Sequence, residues 1–320
     1  MYKKIVLIML CFLAAISCSN PSSPNSGGNG DIVNGGGSGQ TGGGSGNDSG
    51  NDGDSGNTGD GGSTVIPPTK PTEEELIAKY GIDIGLEDSV ISKKIEENLK
   101  AYHTEMGSYR VIFTGKPKAK YSQQTSLAVL VLASAQNISA DNIVLDLKNI
   151  DFSESKTIDS YMFAGISSYN ITLSIIFPED KIETIGMFAF TFAYYLKEIE
   201  IPNSVISISA LAFQQCSKLE NLILGNNVQS IGMNAFTYSK LKELTIPASV
   251  KAIGNEAFSG SSSLTTITYL GASPDSITSV GESVFGSAPL TTLILPNVSN
   301  PDYNTWKNFL GGNFTEVKQH

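Results

Sequence analysis

The side chains that could do chemistry are few and badly placed for it. Three cysteines, Cys11, Cys18 and Cys216, and two histidines, His103 and His320, are the whole supply of soft ligands and neutral bases. A nucleophilic Cys216 would need a histidine beside it, and neither histidine falls in its part of the chain. No two cysteines have zinc-site spacing, and no disulfide framework can be drawn. Cys216 therefore reads as a buried structural thiol. His103, next to Tyr102 and near Glu105, reads as a surface or partly packed helical side chain. Glu73–Glu75 stand at a helix start, where negative charge suits the helix dipole better than acid–base work. Gly37 to Gly42 fits G-x-G-x-x-G, yet no strand precedes it and no helix follows. Asp48, Asp52, Asp54 and Asp60 lie among glycines. They lack the bidentate Glu of a helix–loop–helix calcium site and the apolar residues of a calcium β-roll. The expectation is a non-enzyme with no metal and no cofactor.

The elements around these residues point to export. Residues 1–17 have a basic start at Lys3 and Lys4 and an apolar run from Ile5 to Ile16, a signal-peptide pattern too short to span a bilayer with ease. Ala15-Ile16-Ser17-Cys18 resembles a bacterial lipoprotein signal, which implies lipidation of Cys18 as the first mature residue; it departs from the strict Leu-Ala-Gly-Cys form. Residues 18–71 are Gly, Ser, Asn, Asp and Thr with almost nothing apolar, so the segment reads as a disordered tether. A coil of this length spans roughly 40 Å. The formal charge is −10, and loss of Lys3 and Lys4 makes it more negative still. That excludes nucleic acid and direct adhesion to an anionic bilayer; membrane contact would come through the N-terminal lipid alone.

Residues 72–152 read as a small α/β N-terminal cap. Thr72 and Glu75 form a capping box, a second helix spans Ser89–Met106, and strand, helix and strand follow over Tyr109–Phe113, Ser122–Gln136 and Ile143–Leu147. From about residue 153 to 300 one unit repeats with a period near 23. Each copy has an Ile-Gly step, then Ala-Phe, then Leu-x-x-apolar-x-apolar, often closed by Pro. Phe190, Phe213, Phe236, Phe258 and Phe285 mark the phase, with Phe163 in a degenerate first copy. The alternating pair reads as a short strand with one buried face, and stacked copies make a parallel sheet. Gly186, Gly232, Gly254 and Gly281 fall at a bend, where positive φ or close backbone approach is useful. The rest of each unit reads as a helical or irregular turn. Residues 301–320, with Tyr303, Trp306, Phe309 and Leu310, read as a C-terminal cap whose helix closes the last rung.

The pattern IG-x-x-AF-x-x-C/S/A-x-x-L-x-x-I-x-IP-x-SV, clearest over Ile231–Val250, resembles the BspA-like class of leucine-rich repeats. The resemblance implies an α/β repeat fold, a leucine-rich-repeat solenoid with a parallel sheet on one face. It also implies a surface adhesin for host matrix proteins or other microbes.

If the alternating pair points inward, the residues between point out. One outward row is Asp146, Ile176, Glu200, Ile223, Thr245, Thr268 and Ile294; a second is Glu198, Asn221, Glu243, Thr266 and Thr292. This face is the candidate ligand surface, with its acidic residues favouring a basic patch on the partner. The alternative reading of its isoleucines is that β-branched residues simply suit exposed strands. The expected protein is monomeric, lipid-anchored at the outer-membrane surface, and binds protein ligands. The other reading is an envelope scaffold that binds a second envelope protein.

Overall fold

The computed structural model describes residues 70–166 and 169–320. The leader, Cys18, the glycine-rich motif and the aspartates of the tether lie outside the described residues.

Helix α1 (Glu73–Tyr80) starts on the expected capping box: the Thr72 hydroxyl accepts from the Glu75 amide, and the Glu75 carboxylate accepts from the Thr72 amide. Strand β1 (Gly81–Asp83) follows directly. Helix α2 (Asp88–Met106) buries Ile91, Ile95 and Leu99 and ends at Gly107, whose φ of 70° is the left-handed conformation that glycine adopts without strain. Then come β2 (Arg110–Gly115), α3 (Leu127–Asn137) and β3 (Ile143–Ile150). The third helix begins later than its sequence pattern implies. Ser126 is its N-cap, accepting from the Val129 amide while donating to the Ala164 carbonyl, and Ser122 and Thr125 close a turn on each other before it.

Beyond β3, each coil contributes a two-residue strand and a longer one. These are β4 (Thr157–Ile158) and β5 (Leu173–Ile176), β6 (Thr184–Ile185) and β7 (Glu198–Glu200), β8 (Ser207–Ile208) and β9 (Asn221–Ile223), β10 (Ser230–Ile231) and β11 (Glu243–Ile246), β12 (Ala252–Ile253) and β13 (Thr266–Tyr269), and β14 (Ser279–Val280) and β15 (Thr292–Ile294). The short helix α4 (Tyr303–Trp306) precedes a last strand, β16 (Glu316–Lys318). The longer strands run parallel in the order β1-β2-β3-β5, β7-β9 and β11-β13-β15-β16. Backbone bonds from Leu173 to the Tyr195 carbonyl (3.2 Å) and from Lys240 to the Leu219 carbonyl (2.9 Å) link the pieces.

The parallel-sheet solenoid is as expected, with three differences. The ribbon is longer than the repeat count implies, because β1, a three-residue strand with no pattern of its own, and β16 extend it at both ends. The C-terminal helix α4 therefore comes before the last rung in sequence, with Trp306 of this helix against Tyr269 of β13. The half-coil expected to be an irregular turn opens with a second parallel ladder, β4-β6-β8-β10-β12-β14. Register pairs Thr157–Thr184, Thr184–Ser207, Ser207–Ser230, Ser230–Ala252 and Ala252–Ser279 fix coils of 27, 23, 23, 22 and 27 residues.

The interior is a ring column. Phe163, Phe190, Phe213, Phe236, Phe258 and Phe285 stack in order with centroids 4.8–6.1 Å apart and planes nearly parallel through Phe258. Such a column forms because each coil is one sheet spacing from the next. Beside it the small residues fit as expected: the Cys216 thiol donates to the Phe190 carbonyl (3.2 Å), and Ser239 and Ser261 bond to each other (2.8 Å). At the bend, close approach is the operative reason for glycine. A Cβ on Gly254 would lie 2.4 Å from the Met233 amide, whereas positive φ falls two residues later, on Tyr161, Phe188, Leu211, Asn234, Glu256 and Ser283. Trp306 is buried against Tyr269 and Phe309.

Candidate binding face

Strand alternation dictates the face. Ile199, Leu222, Leu244, Ile267 and Leu293 point into the core, so their neighbours on the same strands point away. Glu198, Glu200, Asn221, Ile223, Glu243 and Thr245 are exposed, as is Ile176. Thr266, Thr268, Thr292 and Ile294 are half-buried; Thr292 and Ile294 lie beside β16, whose Glu316 accepts from the Thr292 hydroxyl (3.3 Å), and Thr266 and Thr268 lie beside β15. Register places Glu198 beside Asn221 and Glu200 beside Ile223, then Glu243 beside Thr266 and Thr245 beside Thr268.

Asp146 departs from the expectation. It occupies an outward position of β3, beside Ile176, yet it is fully buried. Helix α1 is the cause. Leu76 and Tyr80 pack on Ile112, the outward residue of β2, together with Tyr102. Arg110, on the same side of β2, donates to both Glu73 of α1 and Asp146, with Lys148 alongside. Burial opposes the Arg110 charge, but its hydrogen bonds to Glu73 and Asp146 raise its pKa further; the Arg110 bond holds Glu73 below the usual carboxylate range. A hydrophobic pattern could not reveal this, since α1 reads as an ordinary amphipathic helix and its docking partner lies on another strand.

Past α1 the face is open. A groove of about 530 Å³ crosses the C-terminal ends of β5, β7 and β9. Ile176, Glu200 and Ile223 line it, with Glu179, Asp180 and Asn203 from the turns that follow the strands. Sequence reasoning missed these turn residues; the signal was the Pro178-Glu179-Asp180 and Pro202-Asn203 steps just past β5 and β7. Ile176 is 39% and Ile223 59% exposed, unusual for isoleucine. Lysines gather at the other strand ends, where Lys197 and Lys218 lie near Asp141. That carboxylate is held below its usual pKa first by the Thr172 and Asn142 amides and then by these cations.

The remaining chemistry-capable residues are not brought together. His103 stacks on Tyr109 at 4.4 Å, remote in sequence from the repeats. Cys216 is sealed in the core, and burial pushes its thiol up to about 12. Among the described residues, no three His, Cys, Asp or Glu side chains are placed to hold a metal ion, and no helix is long and apolar enough to cross a membrane.

The repeat pattern is matched by the BspA type leucine rich repeat region, in six copies, over residues 142–265 and 183–309. Together these matches cover more than half of the 320 residues, and the chain belongs to this family. Among solved structures, it is similar to a leucine rich cell surface protein of Faecalibacterium prausnitzii, with 18% identity, 50% of this chain and 62% of that one covered, and a TM-score of 0.31. It is also similar to leucine-rich repeat proteins of Bacteroides ovatus (16% identity, 56% and 75% covered, TM-score 0.19) and Eubacterium ventriosum (16%, 58% and 67%, 0.23). The chain thus spans less than two thirds of the first of these. No curated protein sequence matches it.

Proposed function

We propose that this chain is a surface-tethered, protein-binding lipoprotein, an adhesin-like module for host matrix proteins or other microbes. Its ligands sit on the outward rows of the sheet: Ile176, Glu198, Glu200, Asn221, Ile223, Glu243, Thr245, Thr268 and Ile294. Lipid on Cys18 and the leash to residue 71 hold the solenoid off an outer membrane. Residues 72–152 and 301–320 cap the repeats of 153–300, and the unit works as a monomer. The observation that carries the reading is the open acidic and apolar stretch of the face from β5 to β11, on a solenoid whose stacked strands give an extended recognition surface.

The test is equilibrium binding of the purified chain to a panel of matrix and plasma proteins and to bacterial cells. The control carries Glu200→Lys, Ile223→Lys and Thr245→Lys. Saturable binding lost in the control is the expected result; binding that survives all three substitutions removes the sheet face from candidacy. Protease treatment of intact cells tests display. Cleavage only after lysis would favour the second reading, a scaffold that engages another envelope protein.

A further inference from the structure

Across the sheet, outward residues alternate between apolar and acidic: Ile112, Asp146, Ile176, Glu200, Ile223. In the first part of this series the pattern is satisfied within the chain. Leu76 and Tyr80 of α1 cover Ile112, and Arg110 neutralises Asp146. In the second part neither partner is found among the described residues. Ile176 and Ile223 are open, and Glu200 forms no ion pair among the described residues. From β5 to β15 the outward positions hold Glu198, Glu200 and Glu243 but no lysine or arginine. Glu179 and Asp180, at the same end of the groove, are likewise without a cation among the described residues.

We infer that a basic amphipathic helix of a partner protein completes this second unit. The inference rests on the sheet-face reading above and names the partner's chemistry. Helix α1 already shows how this sheet takes a helix, by apolar side chains spaced four residues apart on an outward isoleucine. Ile176 and Ile223 are two strands apart, about 10 Å. A helix crossing the strands places residues i and i+7 about 10.5 Å apart, which seats one apolar side chain on each isoleucine. A lysine or arginine at i+3 or i+4 then meets Glu200 between them, with Glu179 and Asp180 drawing in further cations.

The probe is a fluorescein-labelled, alanine-based peptide of about 20 residues. It carries Leu at i and i+7 and Lys at i+3 and i+4; its counterpart has Glu in place of Lys. Both are titrated against the full chain by anisotropy, with circular dichroism of the bound peptide. Expected is binding of the Lys peptide alone, with gain of helicity, weakened by salt. Glu200→Gln or Ile223→Ser should each weaken it about tenfold or more, with the urea midpoint unchanged. Equal binding of the Glu peptide, or indifference to both substitutions, overturns the inference. If the probe fails while Glu243→Lys with Thr245→Lys still abolishes capture of a panel protein, the face reading stands and the basic helix is wrong. Failure of both removes the face altogether.

Discussion

Arg110 and Asp146 are ion-paired beneath helix α1, and that pair marks where the outward face of the sheet stops being surface. Both belong to adjacent parallel strands, in positions that farther along the solenoid are open to water. Removing Arg110 leaves the fully buried Asp146 carboxylate with only the more distant Lys148, 3.8 Å away, as a cation among the described residues. Arg110→Ala should therefore cost about 3–5 kcal/mol in urea unfolding, while paired replacement by apolar residues of similar size should recover much of it. A loss under about 1 kcal/mol would mean that α1 does not seal the pair from solvent.

Two carboxylates, Glu73 beside Arg110 and Asp141 at the other strand ends, give a pH signature. Glu73 is held below its ordinary pKa of 4.5 mainly by the Arg110 hydrogen bond, and Asp141 below 3.8 by backbone amides. A carboxyl whose folded pKa is depressed adds stability that is complete above its unfolded pKa and is lost as pH falls through the folded one. The urea midpoint should thus hold steady down to about pH 4.5 and decline below it. Glu73→Gln should flatten part of that decline. An unchanged slope in the variant would remove Glu73 from the account.

Much of this architecture is legible in the residues. The Ile-Gly, Ala-Phe and Leu-x-x-Ile-x-Ile phases announce the solenoid, the ring column and the two faces of each strand, because a repeated chain can bury such a set only by stacking. What the residues do not announce are features fixed by neighbours. β1 is three residues long and forms because β2 offers it an edge. The left-handed positions fall on Phe188, Leu211 and Glu256, held by bonds between coils, such as the Leu211 amide to the Met233 carbonyl (2.9 Å) and the Glu256 amide to the Glu282 carbonyl (2.9 Å). The outward row is readable as a row, but that Asp146 belongs to α1 while Glu200 stays open depends on where one helix docks.

Phe236 has a ring neighbour on each side, at 4.9 and 5.3 Å. Phe236→Ala should cost about 3–5 kcal/mol in chemical denaturation. Phe285 ends the column, 6.1 Å from Phe258 and tilted by 27°, so Phe285→Ala should cost less. Equal losses would show that the column is not a unit that weakens toward its end.

Cys216 offers a readout of opening. Its thiol is fully buried and burial lifts its pKa to about 12, so near neutral pH it is neither ionised nor accessible. With Cys11→Ser and Cys18→Ser in place, iodoacetamide should label the native chain no faster than it unfolds. Cys216→Ser should be well tolerated, since Ser239 and Ser261 occupy the equivalent place in the next two coils. Rapid labelling of the folded chain would contradict the sealed core.

The register also says how to shorten the solenoid. Ser230 pairs with Ala252, so one complete coil here is the 22 residues from Ser230 through Lys251. Excising them sets Ala252 beside Ser207, Ile253 beside Ile208, and Phe258 on Phe213, with every inward residue still inward. If coils interact mainly with their nearest neighbours, the shortened chain should unfold in one cooperative transition with a modestly lower midpoint. Excising two residues more, Gln229 through Ala252, puts Asn255 where buried Ile231 stood and moves the glycine off the bend. That variant should lose its cooperative melt by circular dichroism. Equal behaviour of the two would show that coil phase, and with it the alternation that exposes Glu200 and Ile223, does not control how this chain packs.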